Sequence, residues 1–195
     1  IMAEIANIPR KSAKTINLGL FYGMGVGKLS DQMGIDPAEA KALINQYNER
    51  VPFVRQLADK VSDHAQRKGR VRTILGRQCR FDLWEPKSFG SHKAYPYEKA
   101  IEEYGSNIGL KRAGTYKSLN RLIQGSAADQ IKKAMVELYK EGIIPMIQIH
   151  DELAISVDGS KEQQDKIIEV MENCLEMEIP SKVDVAVAKN WGETQ

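Results

Sequence analysis

The stretch IIPMIQIHDELAISV, residues 143–157, decides how the second half of the chain folds. Two apolar runs enclose His150, Asp151 and Glu152, which predicts two buried strands that meet in a tight turn. Adjacent carboxylates held there repel each other unless a cation lies between them. Mg²⁺ binds carboxylate and phosphate oxygens, so the turn predicts a magnesium site at Asp151 and Glu152. A plain charged turn is the other interpretation, but such turns more often carry Asn-Gly or Asp-Gly.

The residues around this stretch predict a small antiparallel sheet backed by helices. Apolar residues recur at helical spacing over residues 111–140, with Gly125 as a candidate break and Gly142 as the C-terminal cap. Ser160 begins a capped helix that is expected to run to about Met177. The alternating residues 182–191, KVDVAVAKNW, predict a last strand. Strand, strand, helix and strand in this order indicate an α+β fold.

The first half of the chain is predicted to be mostly helical. Asp36, followed by proline and by an acid three residues on, predicts a helix over 37–50, and a second helix is expected over 53–68. Residues 69–81, GRVRTILGRQCRF, alternate around a glycine and predict a basic β-hairpin. Residues 82–110 show weak periodicity, so we expect an irregular insertion with one short helix near 97–104.

The opening segment RKSAKTINLGLFYG, residues 10–23, places cations at the beginning of a predicted helix. Arg10, Lys14, Leu18 and Tyr22 recur every four residues and therefore share one face. Cations at this end oppose the helix dipole by about 0.3–1 kcal/mol each, so folding alone disfavours them. A bound oligophosphate would make these cations favourable. The triphosphate would then lie near Arg10 and Lys14 and the base near Tyr22. An ordinary amphipathic helix with exposed cations is the alternative.

Composition and charge restrict the possible functions. Among the 195 residues, 42% are hydrophobic, which is enough for a folded core. Residues 1–80 carry 14 Lys and Arg against 7 Asp and Glu, whereas residues 81–195 carry 14 against 19. This asymmetry suits a protein that binds a polyanion with one lobe and cations with the other, and a solvated charged face is the alternative explanation. With no leader or membrane span recognised and two isolated cysteines, we expect a cytoplasmic protein without disulfides or zinc.

The segment SLNRLIQGSAAD, residues 118–129, predicts a helix that contacts a nucleic-acid duplex. Asn120 and Gln124 lie on one face, and Lys117 and Arg121 flank them. Amides can bind the minor-groove acceptors that all base pairs share, and the cations can bind phosphates. Ordinary solvated polar positions are the alternative.

Taken together, these motifs resemble those of the bacterial DNA polymerase I family, family A of the DNA polymerases. The fingers helix of that family carries Arg, Lys four residues later and Tyr-Gly eight residues after the Lys, which Arg10, Lys14, Tyr22 and Gly23 match. Leu18 stands where the family usually has Phe or Tyr. The family's second catalytic carboxylate motif is His-Asp-Glu, as at residues 150–152, and NWG at 190–192 is similar to the family's chain end.

The resemblance implies a role for each of these residues. Asp151 and Glu152 would be catalytic and bind Mg²⁺, and His150 would lie near the primer end. Lys14 would orient the deoxynucleoside triphosphate (dNTP) and donate a proton to the pyrophosphate leaving group. The dNTP-binding residues would be Arg10, Lys14, Leu18, Tyr22 and Gly23, and the contacts to primer-template DNA would come from Lys117, Asn120, Arg121 and Gln124.

The resemblance also implies a domain arrangement and an activity. Residues 1–81 would form fingers helices and a basic hairpin, residues 82–110 an insertion, and residues 111–195 the C-terminal part of the palm. The expected reaction adds deoxynucleotides to a primer by two-metal phosphoryl transfer. The family's first carboxylate motif, DxSQxE, has no counterpart here, so we expect activity to need an upstream part, in the same or a separate chain. The source is expected to be bacterial or phage.

Two other functions fit part of the pattern. A single-subunit RNA polymerase shares the arrangement of Arg, Lys and Tyr-Gly, but it would carry His-Asp-Ser where this chain has His-Asp-Glu. A non-catalytic nucleic-acid-binding remnant would keep the basic lobe and would have no need of the carboxylate turn.

Overall fold

Four consecutive helices come first, and short strands and three further α-helices follow, in a computed structural model that describes residues 10–88 and 90–193, with side chains from Ala13 onward. The helices within these residues are α1 Arg10–Phe21, α2 Val26–Met33, α3 Pro37–Arg50, α4 Pro52–Lys68, α5 Tyr97–Tyr104, α6 Ser118–Lys140 and α7 Lys161–Asn173. The strands are β1 Arg70–Arg72, β2 Gln78–Arg80, β3 Leu83–Pro86, β4 Tyr95–Pro96, β5 Leu110–Arg112, β6 Pro145–Ile149 and β7 Glu152–Ile155. This mixture of helices and antiparallel sheets confirms the α+β prediction.

The chain divides into two compact units, and the division does not follow the three ranges expected from the sequence. The first unit contains the described residues up to Arg72 together with 76–122, and the second contains 73–75 and 123–193. Helix α6 therefore begins in the first unit and continues into the second. The assignment of residues 1–81, 82–110 and 111–195 to fingers, insertion and palm stays a prediction.

Capping residues set the helices of the first unit. The Asp36 carboxylate accepts a hydrogen bond from the Ala38 amide at 2.7 Å, and α3 runs over the predicted residues 37–50. Helix α4 ends at Gly69, whose φ of 70° closes the last turn. The core of these helices consists of small and aliphatic side chains with one tyrosine, namely Ala13, Ile16, Leu20, Leu29, Ala40, Tyr47, Val51 and Val54.

The hairpin predicted around Gly76 is confirmed. Strands β1 and β2 pair antiparallel with Val71 opposite Cys79, and these two side chains face inward while the arginines face outward. Val71 and Phe81 pack with Ala65 in a second small core.

Residues 82–110 are more regular than the sequence indicates. The predicted helix at 97–104 is present as α5, but β3 also pairs with β4 and with β5 to form a three-stranded antiparallel sheet. Each strand has two to four residues, which is too short for a period of two to be recognised. Gln66 holds this sheet to α4, because its side-chain amide donates to the Arg112 carbonyl and accepts from the Arg112 amide.

Helix α6 begins later than the sequence predicts. Residues 110–112 form β5, residues 115–117 form a 3₁₀ turn, and the α-helix starts at Ser118 rather than at about Lys111. It passes through Gly125 without a break and ends before Gly142, whose φ is 76°. Packing along one face overrides the low helix propensity of Gly125, since Ile131, Ala134 and Leu138 are all buried.

The last predicted strand does not form. Residues 182–188 are not paired with any strand of the described chain, and α7 ends at Asn173, four residues before Met177. Lys182 and the Val183 amide donate instead to the Glu172 carboxylate, and these hydrogen bonds hold the pKa of Glu172 below its usual value. The alternation at 182–191 is typical of a strand, but a strand forms only beside a partner. The sheet of β6 and β7 contains these two strands and does not extend to residues 182–191.

Neither cysteine is joined in a disulfide. The Cys174 thiol lies near the carbonyls of Gln130 and Met171, and burial raises its pKa. Across the described residues, no helix has both the length and the apolar character that a membrane span requires.

Candidate functional site

Helix α1 presents the predicted nucleotide-binding residues on its solvent side. Ala13, Ile16 and Leu20 are buried against the first core, whereas Lys14 is exposed and 52% of the Leu18 surface is accessible. Arg10 is the first residue of the helix, and its side chain lies outside the described part of the structure. The four-residue spacing thus places Lys14 and Leu18 on one open face, as predicted.

The end of α1 is a tight turn that fixes Tyr22. The Tyr22 amide donates to the Leu18 and Gly19 carbonyls, and its ring meets Phe21 edge-on at 5.4 Å between centroids. Gly23 follows with a φ of 84°, which explains the glycine after the tyrosine, since a side chain is strained in this region. The turn leaves the Tyr22 ring partly exposed at the end of the face that carries Leu18.

The carboxylate turn has the predicted position but lies on strands that are less buried than expected. Ile149 pairs with Glu152, so His150 and Asp151 form a two-residue connection between β6 and β7. Most residues of the two strands are exposed or half-buried, because each strand has one neighbour only. Asp151 and Glu152 are both exposed at the end of the hairpin.

His150 holds an unusual backbone conformation in this turn. Its φ is 53°, and within the described residues it is the one non-glycine position with a positive φ. Two-residue hairpin turns need such angles and usually meet them with Asn or Gly. The Gln148 side chain donates to the His150 carbonyl at 3.1 Å and supports the turn.

A tryptophan that the sequence did not point to holds one of the carboxylates. The Trp191 indole N–H donates to Glu152 Oε1 at 3.3 Å, from the 3₁₀ turn Trp191–Glu193. The motif NWG at 190–192 is similar to the family's chain end, but nothing in its spacing indicates a contact with a residue 39 positions away. The orientation of the Glu152 carboxylate is therefore supported by a hydrogen bond from Trp191.

These two carboxylates fit a magnesium ion that is held partly by substrate. No group of three or more His, Cys, Asp or Glu side chains with the arrangement of a metal site occurs in the part of the chain that the structure describes. Mg²⁺ is commonly bound through one or two carboxylates, with waters and substrate phosphates completing its octahedron. Asp151 and Glu152 offer hard oxygen ligands at an open turn, so they suit such a partial site.

Helix α6 and the turn before it carry the predicted DNA-binding residues. Asn120 is half-buried, and Lys117, Arg121 and Gln124 are exposed. The Asn120 side-chain amide makes no hydrogen bond within the described residues. The Arg121 guanidinium stacks on Phe81 at 4.9 Å and donates to the Arg80 carbonyl at 3.4 Å. Arg121 thus joins the beginning of α6 to the basic hairpin.

The basic hairpin itself is a feature whose function the sequence did not assign. Arg70 lies directly opposite Arg80 on the exposed face, and Arg72 lies opposite Gln78. Like charges in direct cross-strand pairs are destabilising. The strip formed by Arg70, Arg72, Arg80 and Arg121, named here the arginine strip, is therefore a candidate surface for phosphates.

The predicted nucleotide-binding residues of α1 and the arginine strip belong to the first unit, and the carboxylate turn belongs to the second.

Comparisons with known proteins cover almost the whole chain. Residues 2–193 match the sequence family DNA polymerase family A. A DNA-directed DNA polymerase of Pseudomonas phage M6 is 33% identical over all of this chain and 31% of its own length. A thermostable DNA polymerase I of Thermus filiformis is 31% identical over 95% of this chain and 21% of its own length.

A solved structure is similar over the same region. The POL domain of Pol1 from M. smegmatis, in complex with DNA primer-template and dNTP, superposes with a TM-score of 0.68 at 28% identity. The match covers 92% of this chain and 31% of that one. The chain thus spans about a fifth to a third of the length of the relatives that it matches.

Proposed function

The chain belongs to DNA polymerase family A, and from this premise we propose that it provides the nucleotide-binding helix and one carboxylate pair of a template-directed DNA polymerase. The observation that carries the proposal is that one family match includes both the cation-bearing face of α1 and the turn that presents Asp151. The similar M. smegmatis domain, which was solved with primer-template and dNTP, supports the same substrates for this chain.

Helix α1 binds and orients the incoming dNTP. The exposed Lys14 ammonium, with Arg10 at the beginning of the helix, neutralises the triphosphate, and Leu18 and the Tyr22 ring contact the sugar and the base. Gly23 lets the chain turn directly after Tyr22. A cation held in place by a helix contributes by positioning and by stabilising the charge that develops on the leaving group. Lys14 also holds the proton that the departing pyrophosphate takes up.

The carboxylate turn holds the metal part of the reaction centre. Asp151 and Glu152 are the residues that would bind Mg²⁺, with Trp191 keeping Glu152 in orientation through its hydrogen bond. When bound, Mg²⁺ neutralises phosphate charge and stabilises the attacking and leaving oxygens. His150 lies in the same turn and contacts the primer end.

Helix α6 and the arginine strip bind the primer-template duplex. The side-chain amides of Asn120 and Gln124 donate to minor-groove acceptors, which are alike in all base pairs, so binding is independent of sequence. Lys117 and Arg121 bind phosphates and set the position of the duplex. The remaining residues of the arginine strip extend this contact along β1 and β2.

Catalysis also needs a polypeptide that supplies the first carboxylate motif. The sheet of β6 and β7 has two strands, and the apolar side chains of Ile144 and Met146 are exposed beside its edge. A strand from the upstream part of the polymerase, in this chain or another, would pair with this edge and cover these side chains.

The proposal is tested in a chimera in which this chain replaces the matching part of the Pseudomonas phage relative. We expect the chimera to extend a primer with deoxynucleotides far better than with ribonucleotides, and Asp151→Ala to abolish extension because a metal ligand is lost. Extension is measured on labelled primer-template.

Asp165→Ala is the matched control, since Asp165 is an exposed carboxylate on α7 away from the turn. It should leave extension unchanged. Equal extension by the Asp151→Ala variant and the unmodified chimera would remove Asp151 from the mechanism. A preference for ribonucleotides would favour the RNA polymerase alternative.

A further inference from the structure

The three-stranded sheet and α5 form a part of the first unit that the proposed mechanism does not use. We call residues 83–112 the aromatic module. Its strands and helix bring together one tryptophan and three tyrosines within 21 residues, along with exposed lysines (Trp84, Tyr95, Tyr97, Tyr104; Lys87, Lys93, Lys99). Aromatic rings stabilise a fold mainly when they are buried, yet 51% of the Tyr97 surface is accessible.

An open pocket lies beside these rings. It has a volume of about 290 Å³ and is lined by Trp84, Tyr97, Ile101, Ser106, Ile108 and Leu110. Pockets that hold small molecules begin at about 300 Å³, so this one has room for a single flat ring system rather than for an extended ligand.

Two of the aromatic walls of the pocket contact each other. The rings of Trp84 and Tyr97 meet at 4.9 Å with an interplanar angle of 63°. The Arg112 guanidinium lies 4.5 Å from the Trp84 ring and donates to the Phe81 carbonyl at 2.8 Å, so the indole is fixed by a side chain that is itself held. A fixed aromatic wall loses little conformational entropy when a planar ligand stacks on it.

The cations of the module lie close to these aromatic rings. Tyr95 pairs with Trp84 across the strands, so these two side chains lie on the same face of the sheet as the pocket residue Leu110. Lys93 and Lys99 lie 5.4 and 5.2 Å from the Tyr95 ring.

The acidic residues of the module do not line the pocket. Glu85 pairs with Lys111 at 3.6 Å, and Glu98, Glu102 and Glu103 are on α5, whose residues Tyr97 and Ile101 form the pocket wall. Lys93 and Lys99 make no ion pair within the described residues. The Tyr95 end of this face is therefore suited to an anionic group, and the pocket to an aromatic ring.

We propose that the aromatic module binds unpaired single-stranded nucleic acid, with one base in the pocket against Tyr97 and Trp84 and an adjacent phosphate at Lys93 and Lys99. Aromatic side chains combined with cations are the usual means of binding single strands without sequence preference, because every base has a π-face. In a polymerase the strand in question is the unpaired template. This last assignment rests on the proposed function, whereas binding of a single strand does not.

The test measures binding of the full chain to a fluorescent oligothymidylate of about 12 nucleotides, by anisotropy. Tyr97→Ala should weaken binding about tenfold, and Tyr97→Phe should restore it because the ring is kept. Lys99→Gln should lower the salt dependence of the affinity by about 0.7 in the logarithmic slope. Tyr139→Ala removes an exposed ring on α6 and should have no effect.

Two further measurements keep the outcome decisive. Ile108→Glu adds a carboxylate at the pocket without removing the contact between Trp84 and Tyr97, so it should weaken binding even if Tyr97→Ala unfolds the module. An oligonucleotide of the same length without bases should bind the unmodified chain and Tyr97→Ala equally. Unchanged oligothymidylate affinity in both Tyr97→Ala and Ile108→Glu would overturn the proposal, as would equal affinity of the unmodified chain for the two oligonucleotides.

These readouts do not depend on polymerase activity. Single-strand binding that responds as described, in a chimera that does not extend a primer, would contradict the proposed function alone. Primer extension in the chimera with no effect of Tyr97→Ala on single-strand binding would contradict the aromatic module alone.

Discussion

At the scale of the residue, Lys14 is the side chain whose position is least explained by folding. It is exposed in the second turn of a helix that has no acid in its first turn, so its charge opposes the helix dipole and has no compensating neighbour there. Alanine at this position would favour the helix on propensity alone. A ligand that needs the ammonium is therefore the better explanation of why a lysine stands here.

Lys14→Ala should lower kcat/KM for nucleotide incorporation by about 10²–10³-fold, because a cation that stabilises transition-state charge is lost. The affinity for duplex DNA should not change. Single-nucleotide kinetics of the chimera measure the first quantity and anisotropy the second. Lys41→Ala, an exposed lysine on α3, serves as the control, and equal losses of nucleotide use and duplex binding would mean that α1 contacts DNA instead.

Trp191→Phe should raise the magnesium concentration needed for half-maximal extension by about 10–100-fold, because Glu152 loses the donor that orients it. If Trp191 acts through Glu152, its substitution should add nothing in a Glu152→Ala background, which a double-mutant cycle measures. A slower reaction at an unchanged magnesium requirement would show that Trp191 has a different role.

At the scale of the element, the hairpin of β1 and β2 combines good packing with unfavourable charge. Val71 and Phe81 are buried below it, while Arg70 and Arg80 oppose each other above. The Arg70 guanidinium donates to the Gln78 side chain at 3.2 Å, which satisfies one donor but leaves the repulsion. Elements that are stable in spite of such a pair commonly bind an anion that relieves it.

Arg70→Gln should therefore have opposite effects on stability and binding. The free energy of unfolding should rise by about 0.2–1 kcal/mol as the repulsion disappears, measured by chemical denaturation. Affinity for duplex DNA should fall, and the logarithmic salt slope should decrease by about 1. Lys60→Gln on α4 should change neither. Lower stability with an unchanged salt slope would mean that Arg70 is structural.

The elements differ in how far the sequence predicts them. Helix α3 was predictable to the residue because Asp36, Pro37 and Arg50 mark its ends locally. The strands of the aromatic module were not, because two to four residues give no period. Residues 182–191 have the pattern of a strand, yet a strand also needs a neighbouring strand, which a local pattern does not report.

The candidate site shows the same difference. Lys14, Asp151 and Glu152 could be proposed from their local spacing and residue chemistry, and the structure places Lys14 on an exposed helix face and the carboxylates at a hairpin turn. The contacts of Trp191 with Glu152 and of Arg121 with Phe81 join residues 39 and 40 positions apart. Contacts of that kind depend on the tertiary fold, so no local motif could have indicated them.

At the scale of the whole molecule, the open sheet edge is the feature on which the proposed association with an upstream part depends. The described part of the second unit exposes apolar side chains along β6 and along residues 179–187 (Ile144, Met146, Ile147; Ile179, Val185, Val187). Exposed apolar groups beside an unpaired strand edge are a usual sign of a binding surface for another strand.

Met146→Lys should prevent association with the upstream part of the Pseudomonas phage relative, produced separately, because it places a charge on this edge. Stability of the chain alone should stay within about 0.5 kcal/mol, as 69% of the Met146 surface is already accessible. Titration calorimetry measures the association. Val136→Lys, at an exposed position of α6, is the control, and equal binding by the two variants would exclude β6 as the interface.

The positive φ of His150 restricts which amino acids this turn can accept. Side chains branched at Cβ are disfavoured there by steric hindrance, and glycine or asparagine would relax the backbone at the expense of the imidazole. Accepted substitutions at this position should therefore be few, and if the imidazole had no role, glycine would be the favoured residue.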